Sequence, residues 1–272
     1  MPASLEQIVA ATRRKIAGTR PTADLRQLQH QAENHTPRGF RRSLETASRT
    51  GIAVIAELKK ASPSRGVIRS EFDPESLAKE LEVGGATALS VLTDTEFFQG
   101  SLENLRRASS SISLPCLRKD FIVDEIQLLE ARANHADAVL LIVAALSDAE
   151  LKTLAGRAAE HQLDVLCEVH DEHELQRAVD AGCDLIGVNS RDLHTFKTDL
   201  DTAFRLADAI PKRILRVAES GIHNGPDIAR LRAAGYQAFL IGESLMRAQS
   251  PGEALRNLML EAERDTPAPI RT

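Results

Sequence analysis

The feature that most limits how this 272-residue chain can fold is a pattern that recurs eight times. Each repeat has a short β-branched or Leu-rich run, a polar turn and an amphipathic helical pattern. The runs cover residues 52–59, 86–92, 114–119, 138–143, 164–169, 185–189, 214–219 and 238–242. Their starts lie roughly 20 to 35 residues apart, which suits a strand followed by a crossover helix. Such crossovers make neighbouring strands parallel and cover both faces of the sheet, so the pattern predicts an α/β fold.

Proline and glycine mark the helices between these runs. Proline stands at three predicted helix starts and glycine at three predicted helix ends: Pro74, Pro226, Pro251, Gly84, Gly182 and Gly235. Eight strand–helix units predict a (β/α)8 TIM barrel. An open doubly wound sheet is the alternative, but it usually has fewer units, and no G-x-G-x-x-G motif follows the first run.

The residues before the first run have helical patterns. Ser4 is a predicted N-cap for a first helix, and further helical patterns cover residues 23–32 and 40–47. We therefore expect a helical extension over residues 1–50 packed on a barrel over residues 51–264. Residues 265–272 are expected to form a loose tail.

Charge and hydropathy exclude two classes of partner. The net charge is −5 and no long run of Lys and Arg is present, so nucleic acid is not expected. No apolar run approaches the ~18 residues of a membrane span, and the N-terminus lacks a signal-peptide pattern. These observations predict a cytoplasmic protein without a membrane partner. Its three cysteines, Cys116, Cys167 and Cys183, are expected to be reduced packing residues.

Several predicted strands end in polar side chains, at the rim where a TIM barrel has its active site. In the first run, alternation directs both Glu57 and Lys59 to one face, where two buried charges need partners or a wet cleft. The full set at the strand ends is Glu57, Lys59, Lys119, Glu168, Asn189, Glu219 and Ser220. Any one of these could simply cap a strand in solvent. Together they favour a site where neighbouring charges separate the pKa values of acids and bases.

Glycines after the last two strands predict a phosphate site. Gly221 follows Glu219-Ser220, and Gly242 precedes Glu243-Ser244. In TIM barrels the loops after strands seven and eight often bind phosphate through backbone N–H groups near a helix start. The pattern therefore favours a phosphorylated small-molecule substrate.

Two other chemistries compete for the same residues. Cys167, Glu168, His170 and His173 could hold a metal, but this segment also has the pattern of a helix start, so no metal is expected. Lys59 or Lys119 could instead form a Schiff base, as in an aldolase, because a desolvated lysine can lose its proton. The pattern alone leaves the aldolase open.

The chain resembles the indole-3-glycerol phosphate synthase family over nearly its whole length. The motifs that carry the resemblance are IAELKKASPSRG at 55–66, TDTEFFQGS at 93–101, LRKDF at 117–121, LCEVH at 166–170, GVNSRDL at 187–193 and AESGI at 218–222. Members close the indole ring of 1-(2-carboxyphenylamino)-1-deoxyribulose 5-phosphate and release carbon dioxide and water without a cofactor. The resemblance implies this carboxy-lyase reaction, in tryptophan biosynthesis, for the present chain.

The resemblance also implies roles for individual catalytic residues. Lys119 matches the general acid of the ring closure, and Glu168 matches a residue that transfers protons. Glu57 and Lys59 would assist dehydration and orient the substrate carboxylate. Asn189 and Ser220 would hydrogen-bond the reacting groups; which of Glu57, Lys59 and Glu168 performs each proton transfer stays open.

The expected binding residues follow from the same resemblance: Ser62, Phe98, Phe121, Arg191, Glu219, Gly221, Gly242 and Glu243. Phe98, Phe121 and Leu140 would wall the aromatic ring, although a plain core role explains these three as well. Some members carry Ser where this chain has Glu243, whose carboxylate would repel a phosphate. We therefore expect only the backbone N–H of Glu243 to bind the anion.

Three other functions remain to be separated from this one. Phosphoribosylanthranilate isomerase and lysine aldolases also use phosphate-binding barrels, and a catalytically silent barrel could bind a phosphorylated metabolite as a regulator. A monomer is expected, and weak association with other enzymes of tryptophan biosynthesis is left open.

Overall fold

Eight strands close into a parallel barrel in the computed structural model, which describes residues 3–192 and 197–265. They are β1 (Ala53–Leu58), β2 (Ala88–Leu92), β3 (Cys116–Lys119), β4 (Ala138–Ile142), β5 (Asp164–Val169), β6 (Leu185–Asn189), β7 (Leu215–Glu219) and β8 (Ala238–Ile241). Neighbours around the barrel follow chain order, and β1 pairs with both β2 and β8. The predicted TIM barrel is confirmed, since Ala53 opposite Ala238 closes the sheet that a doubly wound fold leaves open.

Helices precede the barrel and cover its outside. The extension holds α1 (Leu5–Thr19), a 3₁₀ turn (Arg20–Thr22), α2 (Leu25–Glu33) and α3 (Phe40–Thr50). The barrel helices are α4 (Pro74–Val83), α5 (Leu102–Ser110), α6 (Ile126–Ala133), α7 (Asp148–Glu160), α8 (Glu172–Asp180), α9 (Asp201–Ala207), α10 (Gly225–Ala233), α11 (Glu243–Arg247) and α12 (Pro251–Asp265). Ser4 caps α1 as predicted, in a reciprocal pair with Gln7. None of the helices in the described ranges is long and apolar enough to cross a membrane.

Two apolar layers hold these elements together. Outward-facing strand residues pack against the helices, and alternate residues such as Ile55, Leu117 and Leu166 fill the barrel. Phe40 and Leu44 of α3 join the inner layer and are fully buried. Burying each of these two side chains contributes about 2 kcal/mol. The α3 helix therefore packs onto the barrel interior.

A buried carboxylate fastens the extension to the barrel. Asp137, just before β4, accepts hydrogen bonds from the backbone N–H of Arg38 and of Cys116, both at 2.7 Å. The Arg38 guanidinium reaches the same carboxylate at 2.7 Å, and His35 Nε2 lies 3.1 Å away. Burial raises the pKa of Asp137, but His35 and Arg38 outweigh it and lower the pKa overall.

The cysteines differ from expectation. Cys167 on β5 and Cys183 before β6 form a disulfide with Cα atoms 6.6 Å apart, while Cys116 is free and buried. The prediction of three reduced thiols is wrong for this pair. Parallel pairing places Cys167 opposite Ile186, which is three residues after Cys183. The sequence does not show which strands become neighbours, so this proximity could not be predicted.

The expected limits of the barrel and the tail meet at α12. This helix ends at Asp265, the first residue of the predicted tail. Residues 266–272 lie outside the described residues.

A short antiparallel hairpin of Ala61–Ser62 and Gly66–Val67 was not predicted, because strands of two residues are too short to show a periodic pattern.

Candidate active site

The predicted site residues meet at the carboxyl ends of the strands, where two adjoining cavities open. The larger, of about 740 Å³, is lined by residues that include Glu57, Gly221 and Gly242. The smaller, of about 120 Å³, is lined by Ser62, Phe98, Lys119, Phe121, Leu140, Glu168 and Asn189, among others. Lys59, Arg191, Ser220 and Glu243 border both. Glu219 lines neither cavity, because it lies deeper and is only 1% exposed.

Lys119 forms the charged centre of the site. Its Nζ lies 3.2 Å from Glu168 Oε2 and 3.6 Å from Glu219 Oε2. Burial lowers the pKa of Lys119, but the charges of Glu168, Glu219 and Glu57 raise it well above the ordinary value. The ammonium is therefore charged at neutral pH.

The two carboxyl groups beside Lys119 differ in charge state. Burial raises the pKa of Glu168, but Lys119 and His170 outweigh burial and lower the pKa overall, so this group is ionised. In Glu219 burial and the negative charge of Glu168 outweigh Lys119 and raise the pKa to about 8. One carboxylate and one carboxylic acid thus lie side by side at neutral pH, which is an arrangement suited to proton transfer.

Glu57 and Lys59 form a second acid–base pair at the rim. Lys59 Nζ donates to Glu57 Oε1 at 2.5 Å. Burial raises the pKa of Glu57, yet the charges of Lys59 and Lys119 lower it overall. The alternation of β1 therefore produces the inward charges that the sequence predicts, and each has a partner.

The end of the larger cavity has the backbone that a phosphate site requires. Ser220 and Gly221 both have positive φ, at 66° and 79°, which turns the chain sharply after β7. Gly242 directly precedes α11. A Cβ on Gly242 would collide with the Glu57 side chain, so the close approach of β8 to β1 requires glycine.

The Glu243 carboxylate is bound by arginines. It lies 3.2 Å from Arg65 Nε, 3.5 Å from Arg191 Nη2 and 3.1 Å from Arg247 Nη2. Three guanidinium groups surround one carboxylate, so this end of the cavity keeps a positive charge despite Glu243. The repulsion expected from the sequence is compensated by Arg65 and Arg247, which sequence reasoning had not placed here.

The smaller cavity has an apolar wall. Phe98 and Phe121 lie with ring centroids 6.1 Å apart, and Leu140 borders the same space. Leu5 and Ile8 of α1 complete this wall. Sequence reasoning missed these two, since the apolar stripe of α1 shows that the helix is packed but not what it packs against.

The residues considered for a metal have other surroundings and contacts. His173 is exposed, and Asp171 caps α8 through the backbone N–H of Glu174, as the helix-start interpretation predicts. No group of three or more His, Cys, Asp or Glu within residues 3–192 and 197–265 is arranged to hold a metal ion. His170 instead lies 3.4 Å from Glu168 Oε1 and 2.9 Å from Glu174 Oε2.

Comparison with known folds gives the architecture alone. The thiamine phosphate pyrophosphorylase of Pyrococcus furiosus matches with a TM-score of 0.58 and 19% identity, covering 81% of this chain and 98% of that one. KGPDC from Streptococcus mutans matches with a TM-score of 0.60 and 11% identity, covering 79% and 99%.

Comparison of the sequence is more specific. The family model for indole-3-glycerol phosphate synthase matches residues 5–258. Indole-3-glycerol phosphate synthase of Koribacter versatilis is 58% identical over 95% of this chain and 100% of its own length. The protein of the same name from Leptothrix cholodnii is 48% identical over 93% and 98%. The chain therefore belongs to the indole-3-glycerol phosphate synthase family, the carboxy-lyases that close the indole ring in tryptophan biosynthesis.

Proposed function

We propose that Lys119 is the general acid with which this chain closes the indole ring of 1-(2-carboxyphenylamino)-1-deoxyribulose 5-phosphate. The observation that carries the proposal is a charged lysine within 3.2 Å of Glu168 and 3.6 Å of Glu219, beside the small apolar cavity. The apolar wall of Phe98 and Phe121 suits the carboxyphenyl ring. The larger, polar cavity suits the ribulose phosphate.

Ring closure begins when a carbon of the aromatic ring attacks the ketone carbonyl and forms a carbon–carbon bond. The carbonyl oxygen gains negative charge and takes a proton from the Lys119 ammonium. The bond to the carboxylate carbon then breaks, carbon dioxide leaves, and the electron pair restores the aromatic ring. A buried cation serves this step because it offsets the developing alkoxide before the proton moves.

Dehydration follows and uses the second acid–base pair. The new hydroxyl leaves as water when an acid supplies a proton, and a base removes a proton from the neighbouring carbon to form the indole double bond. Lys59 Nζ donates a hydrogen bond to Glu57 Oε1 at 2.5 Å, so the two groups exchange protons most readily with each other. We therefore assign the dehydration to Lys59, Glu57 and Glu168 as a group. Asn189 and Ser220 orient the reacting groups.

Phosphate binding is assigned to backbone N–H groups. Gly221, Gly242 and the N–H of Glu243 form the anion site, with Ser62 nearby. Arg191 borders both cavities and is assigned to the substrate carboxylate. Glu219 is assigned a place below the substrate, since it is 1% exposed and lines neither cavity. The arginines around Glu243 support this assignment, since they offset its charge.

An aldolase mechanism is less well supported. A Schiff base requires an unprotonated amine, whereas the carboxyl groups of Glu168, Glu219 and Glu57 outweigh burial and raise the pKa of Lys119. The same charge state favours donation of a proton. An acid is what the proposed ring closure needs.

The test is a fluorescence assay for indole-3-glycerol phosphate formation from the carboxyphenylamino-deoxyribulose phosphate, with and without EDTA. Turnover that EDTA leaves unchanged is the expected result. Binding of this substrate without turnover would support the silent barrel instead. Trapping of substrate on a lysine by borohydride would support the aldolase.

The organisation of the chain belongs to the same proposal. Residues 1–50 act as an extension of a single catalytic barrel that works as a monomer in the cytoplasm, with weak contacts to other enzymes of the pathway at most. Light scattering across a range of concentrations tests the monomer. A mass that rises to twice that of the chain would contradict it.

A further inference from the structure

His170 is a partly buried side chain that the proposed mechanism does not use. It follows β5, two residues after Glu168, and its side chain is 14% exposed. Its backbone N–H and its Nδ1 both contact Glu174 Oε2, at 2.8 Å and 2.9 Å. Glu174 lies in the first turn of α8. The backbone contact holds the Glu174 carboxylate in place, and the contact with Nδ1 holds that side of the imidazole against it.

The second ring nitrogen faces the active site. Nε2 lies 3.4 Å from Glu168 Oε1, an ion-pair distance without hydrogen-bond geometry. An ionised carboxylate can only accept hydrogen bonds. The contacts of Nδ1 with Glu174 and of Nε2 with Glu168 are therefore both favourable only when both ring nitrogens carry hydrogen. The two contacts therefore favour an imidazolium.

The two carboxyl groups that contact Lys119, those of Glu168 and Glu219, therefore differ in the number of cations around them. Glu168 has a cation at each oxygen, with His170 at Oε1 and Lys119 at Oε2, 3.2 Å away. Glu219 has only Lys119, at 3.6 Å, and within the described ranges neither of its oxygens has a hydrogen-bond partner. Two like charges this close disfavour double ionisation, so the carboxyl group with fewer cations keeps the proton.

We propose that His170 is a positioning residue that Glu174 holds in place: it orients Glu168 and keeps it ionised, so that the proton of the adjacent pair rests on Glu219. Burial lowers the pKa of His170, but Glu168 and Glu174 raise it to about 10, which agrees with this arrangement. The effect of His170 on turnover rests on the proposed function, because Glu168 acts in the ring closure and dehydration proposed above.

Other charges near His170 balance one another. A cavity of about 490 Å³ beside the imidazole is bordered by Asp171, Arg191, Asp192, Lys197, Asp199 and Arg205. Three acids and three bases contribute little net field. Glu168 and Glu174, which contact the ring, therefore set its charge.

The first test needs no substrate. NMR titration of the His170 ring, assigned with His170→Asn, should show an imidazolium throughout neutral pH in the wild type. Glu174→Gln should lower the midpoint by about one pH unit or more, because one anion is lost. Glu172→Gln, in the same turn of α8 but paired with Arg205, should leave the midpoint unchanged. A wild-type midpoint near the ordinary ~6.5 would overturn the proposal.

The second test measures turnover. His170→Ala should lower kcat about tenfold while KM changes less than about twofold, since the ring acts through Glu168 and not on the substrate. Loss of a cation raises the pKa of Glu168, so the acidic limb of the pH profile should move to higher pH. Glu174→Gln should have the same effect to a smaller extent.

A double variant separates positioning from general destabilisation. Glu174 acts through His170, so His170→Ala with Glu174→Gln should be no slower than His170→Ala alone. Wild-type kcat and pH profile in His170→Ala would overturn the catalytic role; if that variant unfolds, His170→Asn and Glu174→Gln are measured the same way. Absence of turnover in the wild type would instead refute the proposed function, and the NMR titration would still decide whether His170 carries the charge.

Discussion

Lys119 has the charge state that a general acid needs, because three carboxyl groups outweigh the effect of its burial on its pKa. Replacing Lys119 with Ala removes the proton donor, so kcat should fall about a hundredfold or more. Lys79→Ala is the control, since that lysine is exposed on α4 and pairs with Glu75 in its own helix. Steady-state assays of both variants decide the point, and wild-type turnover by Lys119→Ala would remove Lys119 from the mechanism.

Glu219 should make the protein less stable as the pH rises through neutrality. Burial and the charge of Glu168 raise its pKa from 4.5 to about 8 despite Lys119. A group whose pKa is higher in the folded protein than in the unfolded chain stabilises the fold. This stabilisation is complete below the pKa of the unfolded chain and is lost as the pH rises through the pKa of the folded protein. Glutamine does not titrate, so Glu219→Gln lacks this loss. Between the ordinary pKa of 4.5 and the raised pKa of about 8, its unfolding free energy should gain up to about 1.4 kcal/mol per pH unit relative to the wild type. Urea unfolding at several pH values measures the difference, and parallel curves would contradict it.

At the residue scale the sequence predicts which side chains meet but not their charges. The strand ends, with the family motifs, indicate Glu57, Lys119, Glu168 and Glu219. The protonation of Glu219 depends on distances between β3, β5 and β7, which no local pattern contains. His170 was visible beside Glu168, but its partner Glu174 resembled an ordinary first-turn acid.

Asp137 joins two elements that are far apart in the chain, the segment before α3 and the start of β4. Replacing it with Ala would leave the Arg38 guanidinium and two backbone N–H groups without their acceptor, which should cost about 3–5 kcal/mol of unfolding free energy. Glu75→Gln breaks an exposed pair on α4 and should cost less than about 1 kcal/mol. Equal losses in urea unfolding would show that Asp137 does not anchor the extension.

Element boundaries were predictable wherever periodicity is strong. Residues 164–169 and 185–189 coincide with β5 and β6, while α3 continues to Thr50, three residues beyond the predicted end. The hairpin at Ala61–Ser62 and the Cys167–Cys183 disulfide could not be read from periodicity. Both depend on which segments become neighbours, and that is decided by the closed barrel.

The extension serves the whole molecule at two places. Phe40 and Leu44 of α3 join the inner apolar layer, and Leu5 and Ile8 of α1 wall the smaller cavity. Contacts of α1 and of the 3₁₀ turn after it reach three segments of the rim, through Arg13 to Glu150, Lys15 to Thr95 and Arg20 to Asp124. The sequence predicted the helices of residues 1–50 but not this arrangement, because an apolar stripe does not identify its partner surface.

Two isoleucines on α1 separate the structural part of the extension from its part in binding. Ile8 is 4% exposed and lines the smaller cavity, whereas Ile16 is 7% exposed and does not line it. Each change to Ala should cost about 2–5 kcal/mol of stability, because each leaves a comparable void. Only Ile8→Ala should also raise KM, by about tenfold or less, since the wall against the substrate ring loses contacts worth about 1 kcal/mol. Thermal unfolding and steady-state kinetics test both variants, and equal KM values would mean that α1 supports the barrel without contributing to the site.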